Sequence, residues 1–174
     1  MNRTELFVTP GSELVSGAQM SRDGVYRYHL WRTWDESRPS MVWIMLNPST
    51  ADSEIDDPTI RRCISFAKRI DCGGIDVINL YALRATKPKH LLDHPDPEGP
   101  HNVGVWKNVL RDHTRPVMAA WGASKPGPLP GSAAATWWLR RPSTAHCLGL
   151  TQAGHPRHPL YVSNDTPLLP YRPS

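Results

Sequence analysis

The 174-residue sequence predicts an α/β fold, a three-layer α/β/α sandwich with a mainly parallel central sheet, in one domain spanning 1–174. Three observations carry this. Apolar runs of strand length recur at 41–46, 75–81, 117–121 and 145–150. Segments of helical periodicity separate them, which is the alternation of a β-helix-β chain. Finally, two of the runs end on an asparagine, Asn47 just beyond Leu46 and Asn79 inside Ile75–Tyr81. Open α/β sheets bind ligands outside the carboxyl ends of their strands, so these amides mark the expected site.

In chain order, residues 1–20 read as an irregular lead-in. Asp23-Gly24 marks a turn, and Val25–Trp34 alternates Tyr26, Tyr28, Leu30, Arg32 and Trp34 on one side, as a strand does. This aromatic strand is expected to cover one edge of the sheet or to bring Arg27 and Arg32 into the pocket. Arg38-Pro39-Ser40 leads into the strand Met41–Leu46, and Asn47-Pro48-Ser49-Thr50 turns the chain. Asp56-Asp57-Pro58 starts a helix, an acidic N-cap followed by proline at the first helical position. Ile60, Cys63, Ile64, Ala67 and Ile70 form its inner stripe, and Gly73-Gly74 is expected to end it. The strand Asp76–Leu80 follows, completing a right-handed crossover.

Residues 86–101 read as a loop with a short helical turn near Lys89–Leu92. Asn102 is expected to cap a helix running to about Arg111, with Val105, Trp106, Val109 and Leu110 inward. A third strand, Val117–Trp121, closes on Gly122, and a Pro/Gly loop runs to Gly131. A helix at Ala133–Arg140 and a fourth strand at Ala145–Leu150 complete the core, leaving 163–174 as an irregular tail.

Composition narrows the function classes. The 18 Pro and 12 Gly imply much loop, and seven Trp against two Phe is an unusual choice that serves either core packing or a groove for planar ligands. A net charge of +4 is compatible with nucleic acid and equally with a solvated basic surface. Cys63, Cys72 and Cys147 form no CxxC pair, which points to free thiols in a reducing, cytoplasmic setting. There is no apolar run of membrane-spanning length. P-loop, GxGxxG, GxSxG and HExxH patterns are missing, which disfavours NTPases, dinucleotide dehydrogenases, α/β-hydrolases and zinc proteases.

Several residues can carry chemistry. Asn47 offers a donor and an acceptor, to orient a water or read a base edge, although Asn-Pro is also a plain turn dipeptide. Asn79, on an apolar strand, must be hydrogen-bonded to a ligand or a neighbouring loop. Asp52, Glu54, Asp56 and Asp57 suit a divalent metal or a general base, with helix capping as the commoner use. Arg61, Arg62, Arg84, Lys87 and Lys89 suit phosphates. His155 and His158, in His155-Pro-Arg-His-Pro159, are two imidazoles beside Arg157, suited to stabilising an anion.

Blocks of this sequence resemble a family of bacterial and phage proteins, domain of unknown function 1643. They are Tyr26-Arg-Tyr28, Leu46-Asn-Pro-Ser-Thr-Ala-Asp52, Asp57-Pro-Thr-Ile-Arg-Arg62, Asn79-Leu-Tyr-Ala82, Arg84-Ala-Thr86, Ala120-Trp-Gly122 and Pro156-Arg-His-Pro-Leu-Tyr161. The block order also resembles, more distantly, the uracil-DNA glycosylase superfamily, through Asn47-Pro48, Asn79, Trp121-Gly122 and a late His-Pro at 155–156 or 158–159. This second resemblance implies a hydrolase of N-glycosyl bonds acting on a base flipped from DNA, including a modified base. It implies Asn47, His158 and Asp52 as catalytic residues. Asn79, Tyr81, Pro48, Ser49 and His155 would bind the base, and Arg61, Arg62, Arg84 and Arg157 the phosphates. It implies no metal and no organic cofactor, and a monomer acting on DNA or a nucleotide, away from membranes. A nucleotide- or base-modifying enzyme on the same scaffold, or a non-catalytic nucleic-acid binding module, is the alternative.

Overall fold

Among the described residues a single sheet of eight strands organises the chain, in the order β1-β2-β3-β5-β4-β6-β7-β8. The computed structural model describes residues 3–8, 15–49, 55–87, 89–122, 132–139 and 145–172. The strands are β1 (Arg3–Val8), β2 (Val15–Met20), β3 (Arg27–Thr33), β4 (Ser40–Met45), β5 (Gly74–Asn79), β6 (Val117–Ala119), β7 (Ala145–Cys147) and β8 (Leu169–Tyr171). The helices are α1 (Pro58–Arg69), α2 (Lys89–Asp93), α3 (Asn102–Val109) and α4 (Ala133–Leu139).

The expectation of a mainly parallel sheet is corrected: the sheet is mixed. Strands β5, β4, β6 and β7 run parallel to one another. Strands β1, β2 and β3 form an antiparallel meander that joins β5 antiparallel, and β8 pairs β7 antiparallel. Residues 3–8, 15–20 and 169–171, expected to be irregular, form the antiparallel strands β1, β2 and β8. The segment Val15–Met20 carries Gly17 and polar Ser16 and Gln19, so it has no clean apolar alternation. Its pairing is fixed by Trp31, whose ring lies 2.1 Å from where a Cβ on Gly17 would stand. Tertiary fit, not strand propensity, makes this strand. The aromatic strand is therefore interior to the sheet and does not cover an edge.

Strand alternation divides the core into two clusters. Val42, Ile44 and Ile78 pack with Val105 and Trp106 of α3 and Ala134 and Trp138 of α4. Met41, Trp43, Met45, Ile75 and Val77 pack with Ile60, Cys63, Phe66 and Ala67 of α1. Chain leaving β4 thus turns to the α1 cluster, while chain leaving β5 and β6 turns to the other. That divergence opens a crevice at the carboxyl ends of these strands.

Local signals were mostly sound. Asp57 caps α1, its carboxylate accepting from Ile60 N at 2.9 Å, with Pro58 first in the helix. The C-terminal reading is corrected: α1 ends at Arg69, and the left-handed residue is Asp71 (φ 63°), not a glycine. Gly73 serves close approach, since a Cβ there would lie 1.9 Å from the Asp35 carbonyl oxygen. Asn102 does not cap α3. His101 occupies the cap without a side-chain bond, and the Asn102 amide donates instead to the backbone carbonyls of Asn79 (3.0 Å) and Leu80 (3.2 Å). The Pro/Gly loop at 123–131 and Arg140 lie outside the described residues.

Candidate functional site

A cleft of about 240 Å³ opens at the carboxyl ends of β4, β5 and β6. It gathers Asn47, Asn79, Trp121, Gly122 and His158 from four separate stretches of chain. Backbone bonds past the strand ends build this arrangement. Leu80 N donates to Met45 O (2.9 Å), Tyr81 N to Leu46 O (3.0 Å) and Ala85 N to Pro48 O (3.1 Å). The two asparagine-bearing segments are thereby tied together beyond the regular sheet.

Asn79 ends β5 and is 1% exposed. Its backbone carbonyl accepts from Asn102 Nδ2 and from Trp106 Nε1, each at 3.0 Å. Its side-chain amide has no such support. Both Oδ1 and Nδ2 are buried and have no hydrogen-bond partner among the described residues. A buried amide left unpaired costs about 1–3 kcal/mol for the group. The protein thus spends two side-chain donors on fixing the backbone of this residue and leaves its donor–acceptor pair open beside the cleft.

Asn47 is held differently. Its Nδ2 donates to Ala85 O (2.7 Å) and Pro48 O (2.9 Å), which commits both amide hydrogens. The carbonyl oxygen Oδ1 is the atom left to accept from a water or ligand. Ser49 lines the cleft and donates through Oγ to Asp57 Oδ2 (2.8 Å), so Asp57 caps α1 with one oxygen and orients Ser49 with the other. Asp56 is elsewhere engaged, pairing with the 1%-exposed Arg32 at 2.8 Å. Arg32 is therefore not a cleft residue, whereas Arg27, at the start of β3 and 3% exposed, lines it. No cluster of metal-ligating side chains occurs among the described residues. Asp52 lies outside them, as do Thr50 and Glu54.

The late loop resolves the two histidines. His158 lines the cleft; His155 does not, and its buried Nε2 has no partner among the described residues. His158 Nδ1 accepts from Leu160 N at 3.3 Å, which leaves the ring proton on Nε2 as a donor. Burial pushes the His158 imidazole below its ordinary pKa, with the charge of Asp57 acting against that. Gly122 is required here. It has φ 78°, and a Cβ would stand 3.1 Å from His158 Cβ. Its N–H donates to Pro156 O at 2.8 Å, locking the loop to the end of β6.

Other expected site residues fall away from the cleft. Tyr81 is buried with Leu83, Ala85 and Leu91, and burial raises its pKa. Pro48 is buried behind Asn47 and supplies a carbonyl rather than a contact surface. Arg62 donates to the carbonyls of Pro159 and Val162 and to Asn164 Oδ1, fastening the His158 loop to α1. Arg61 is exposed and holds Asp56 O. Arg157 is exposed outside the cleft, and Arg84 lines an adjoining hollow. The aromatic side chains that do line the cleft are Trp121 and the 76%-exposed Tyr161. Trp121 was marked by its place at a strand end. Tyr161 follows a His-Pro turn, and nothing in its spacing singled it out.

A family model described as a protein of unknown function (DUF1643) matches residues 27–160, most of the chain and all of the cleft except Tyr161. No curated protein and no solved structure gives a significant match.

Proposed function

The chain belongs to the DUF1643 family, and for it we propose a glycosylase-like hydrolase that cleaves the N-glycosidic bond of a base held in the β4–β5–β6 cleft. The observation that carries the reading is the Asn79 amide. It is a buried donor–acceptor pair with no partner among the described residues, on a fixed backbone, and every nucleobase presents a matching edge. A three-layer α/β/α architecture of the uracil-DNA-glycosylase type accords with the two core clusters.

The chemistry assigns one task to each group. Asn47 Oδ1 accepts from a water and orients it toward the anomeric carbon. The water oxygen bonds to that carbon as the C–N bond breaks, and the bonding pair departs with the base. Neutral His158 donates from Nε2 to the charge growing on the base, and the positive charge of Arg27 acts in the same direction. A proton lost from the water balances the base anion, giving free base and a sugar hydroxyl. Tyr161 and Trp121 offer faces against which an extruded base can stack.

The test is base release from single- and double-stranded oligonucleotides carrying uracil, mismatches and modified bases, read by mass spectrometry. Release should occur with the wild type and vanish with Asn47→Ala and Asn79→Ala. A base of altered mass without release would replace this reading with a modifying enzyme. DNA binding without any product would replace it with a binding module.

A further inference from the structure

Beside the cleft lies a second hollow of about 430 Å³, which shares Ser49, Ala85 and Thr86 with it and also exposes Arg84 and His90. The position of Arg84 is fixed by its backbone, whose N–H donates to Val25 O at 3.0 Å, next to the Tyr26–Leu83 bridge. Several other arginines around the sheet have firm partners. Arg32, Arg38 and Arg115 each meet a carboxylate, and Arg62 and Arg69 hold several oxygens of the 159–166 segment. Among the described residues Arg84 makes one long hydrogen bond, Nη1 to Gly24 O at 3.3 Å, and its buried Nε has no partner. It meets no carboxylate among the described residues.

A guanidinium stays charged at any working pH. Holding that charge partly buried without a counter-charge is unfavourable, and its planar fork matches the oxygens of a phosphate. We propose that the Arg84 hollow is a phosphate subsite. The ligand of the neighbouring cleft is then a nucleotide whose phosphate reaches Arg84 across the shared wall of Ser49, Ala85 and Thr86, with His90 as a second nitrogen ligand. The identity of the attached base rests on the Asn79 reading above; the phosphate site does not. The phosphate is either the monoester of a free nucleotide or a diester of a strand.

The test titrates the full chain with inorganic phosphate and follows affinity by calorimetry. Arg84→Gln should weaken binding about tenfold or more, the loss expected for a charge-assisted contact, while Arg111→Gln, at an exposed arginine lining neither hollow nor cleft, leaves it unchanged. No binding by the wild type, or equal affinity in Arg84→Gln, overturns the subsite. If Arg84→Gln does not fold, the Nε–H resonance of Arg84 in labelled wild type decides: a saturating shift with phosphate supports the site, and an unmoved resonance overturns it. A deoxynucleoside 5′-monophosphate and a trinucleotide lacking terminal phosphates separate the two sources. Weakening by Arg84→Gln confined to the first identifies a monoester, weakening of the second a diester, and weakening of neither overturns the proposal. Phosphate binding at Arg84 without base release leaves the subsite standing and removes the hydrolase reading.

Discussion

Asn79→Leu should make the protein more stable and unable to bind its ligand. Asn79 is 1% exposed, and neither polar atom of its side chain has a partner among the described residues. Leucine has similar volume and no polar atom to leave unpaired. Replacing an unsatisfied buried amide by an apolar group of like shape recovers most of its desolvation cost, about 1–3 kcal/mol. Branching differs between the two side chains, and imperfect packing takes back about 1 kcal/mol. The net expectation is a gain of about 0–2 kcal/mol, or up to about 8 °C in Tm for a chain of this size. The backbone carbonyl keeps its bonds from Asn102 and Trp106, so the strand end stays in place. Urea unfolding followed by Trp fluorescence measures the change, and the oligonucleotide assay measures function in the same preparation. A loss of stability above about 1 kcal/mol would refute the reasoning, because it would mean the amide is satisfied within the fold and is not held open for a ligand.

Three further expectations follow from other contacts. Gly122→Ala should cost about 1–2 kcal/mol from its left-handed φ and reduce activity more than tenfold, since the new Cβ meets His158; circular-dichroism melts and single-turnover rates read the two effects. The folded-state pKa of His158 is depressed, so the unfolded chain binds its proton first as pH falls. Stability should be unaffected above the ordinary histidine range, fall on acidification through it, and level off below the folded value. NMR titration should find the His158 midpoint below 6.5. Asp56→Ala leaves the buried Arg32 without its carboxylate and should destabilise by about 2 kcal/mol, under the about 3–5 of a fully buried pair because Asp56 is partly exposed. An unchanged urea midpoint would show that the pair contributes nothing.

The parallel half of the fold was legible because its strands are continuous apolar runs and its first helix carries a cap and a proline at the right positions. Asn47 and Asn79 were legible for the same reason, as polar residues at the ends of apolar runs. What escaped was set by partners distant in sequence. Strand β2 depends on the fit of Gly17 under Trp31, and β8, Leu169–Tyr171, includes Pro170, which suits only an edge strand. The roles of the arginines escaped too. Composition gives charge but not address, and Arg62 proved to be a fastener, Arg32 an ion-pair partner and Arg84 a guanidinium held by a long bond to Gly24 O. Asn102 looked like a cap by position and instead reaches across to β5.

The fastening of the late loop has a kinetic consequence. Residues 156–164 are tied to the end of β6 through Gly122 and to α1 through Arg62 and Arg69. A rim anchored on two sides does not swing aside to admit a guest. Under the proposed reading, the rearrangement needed for capture falls on the nucleic acid, whose base must leave its stack before it meets the rim. Turnover should then track the ease of unstacking, fastest for unpaired or mismatched bases, and should respond little to solvent viscosity.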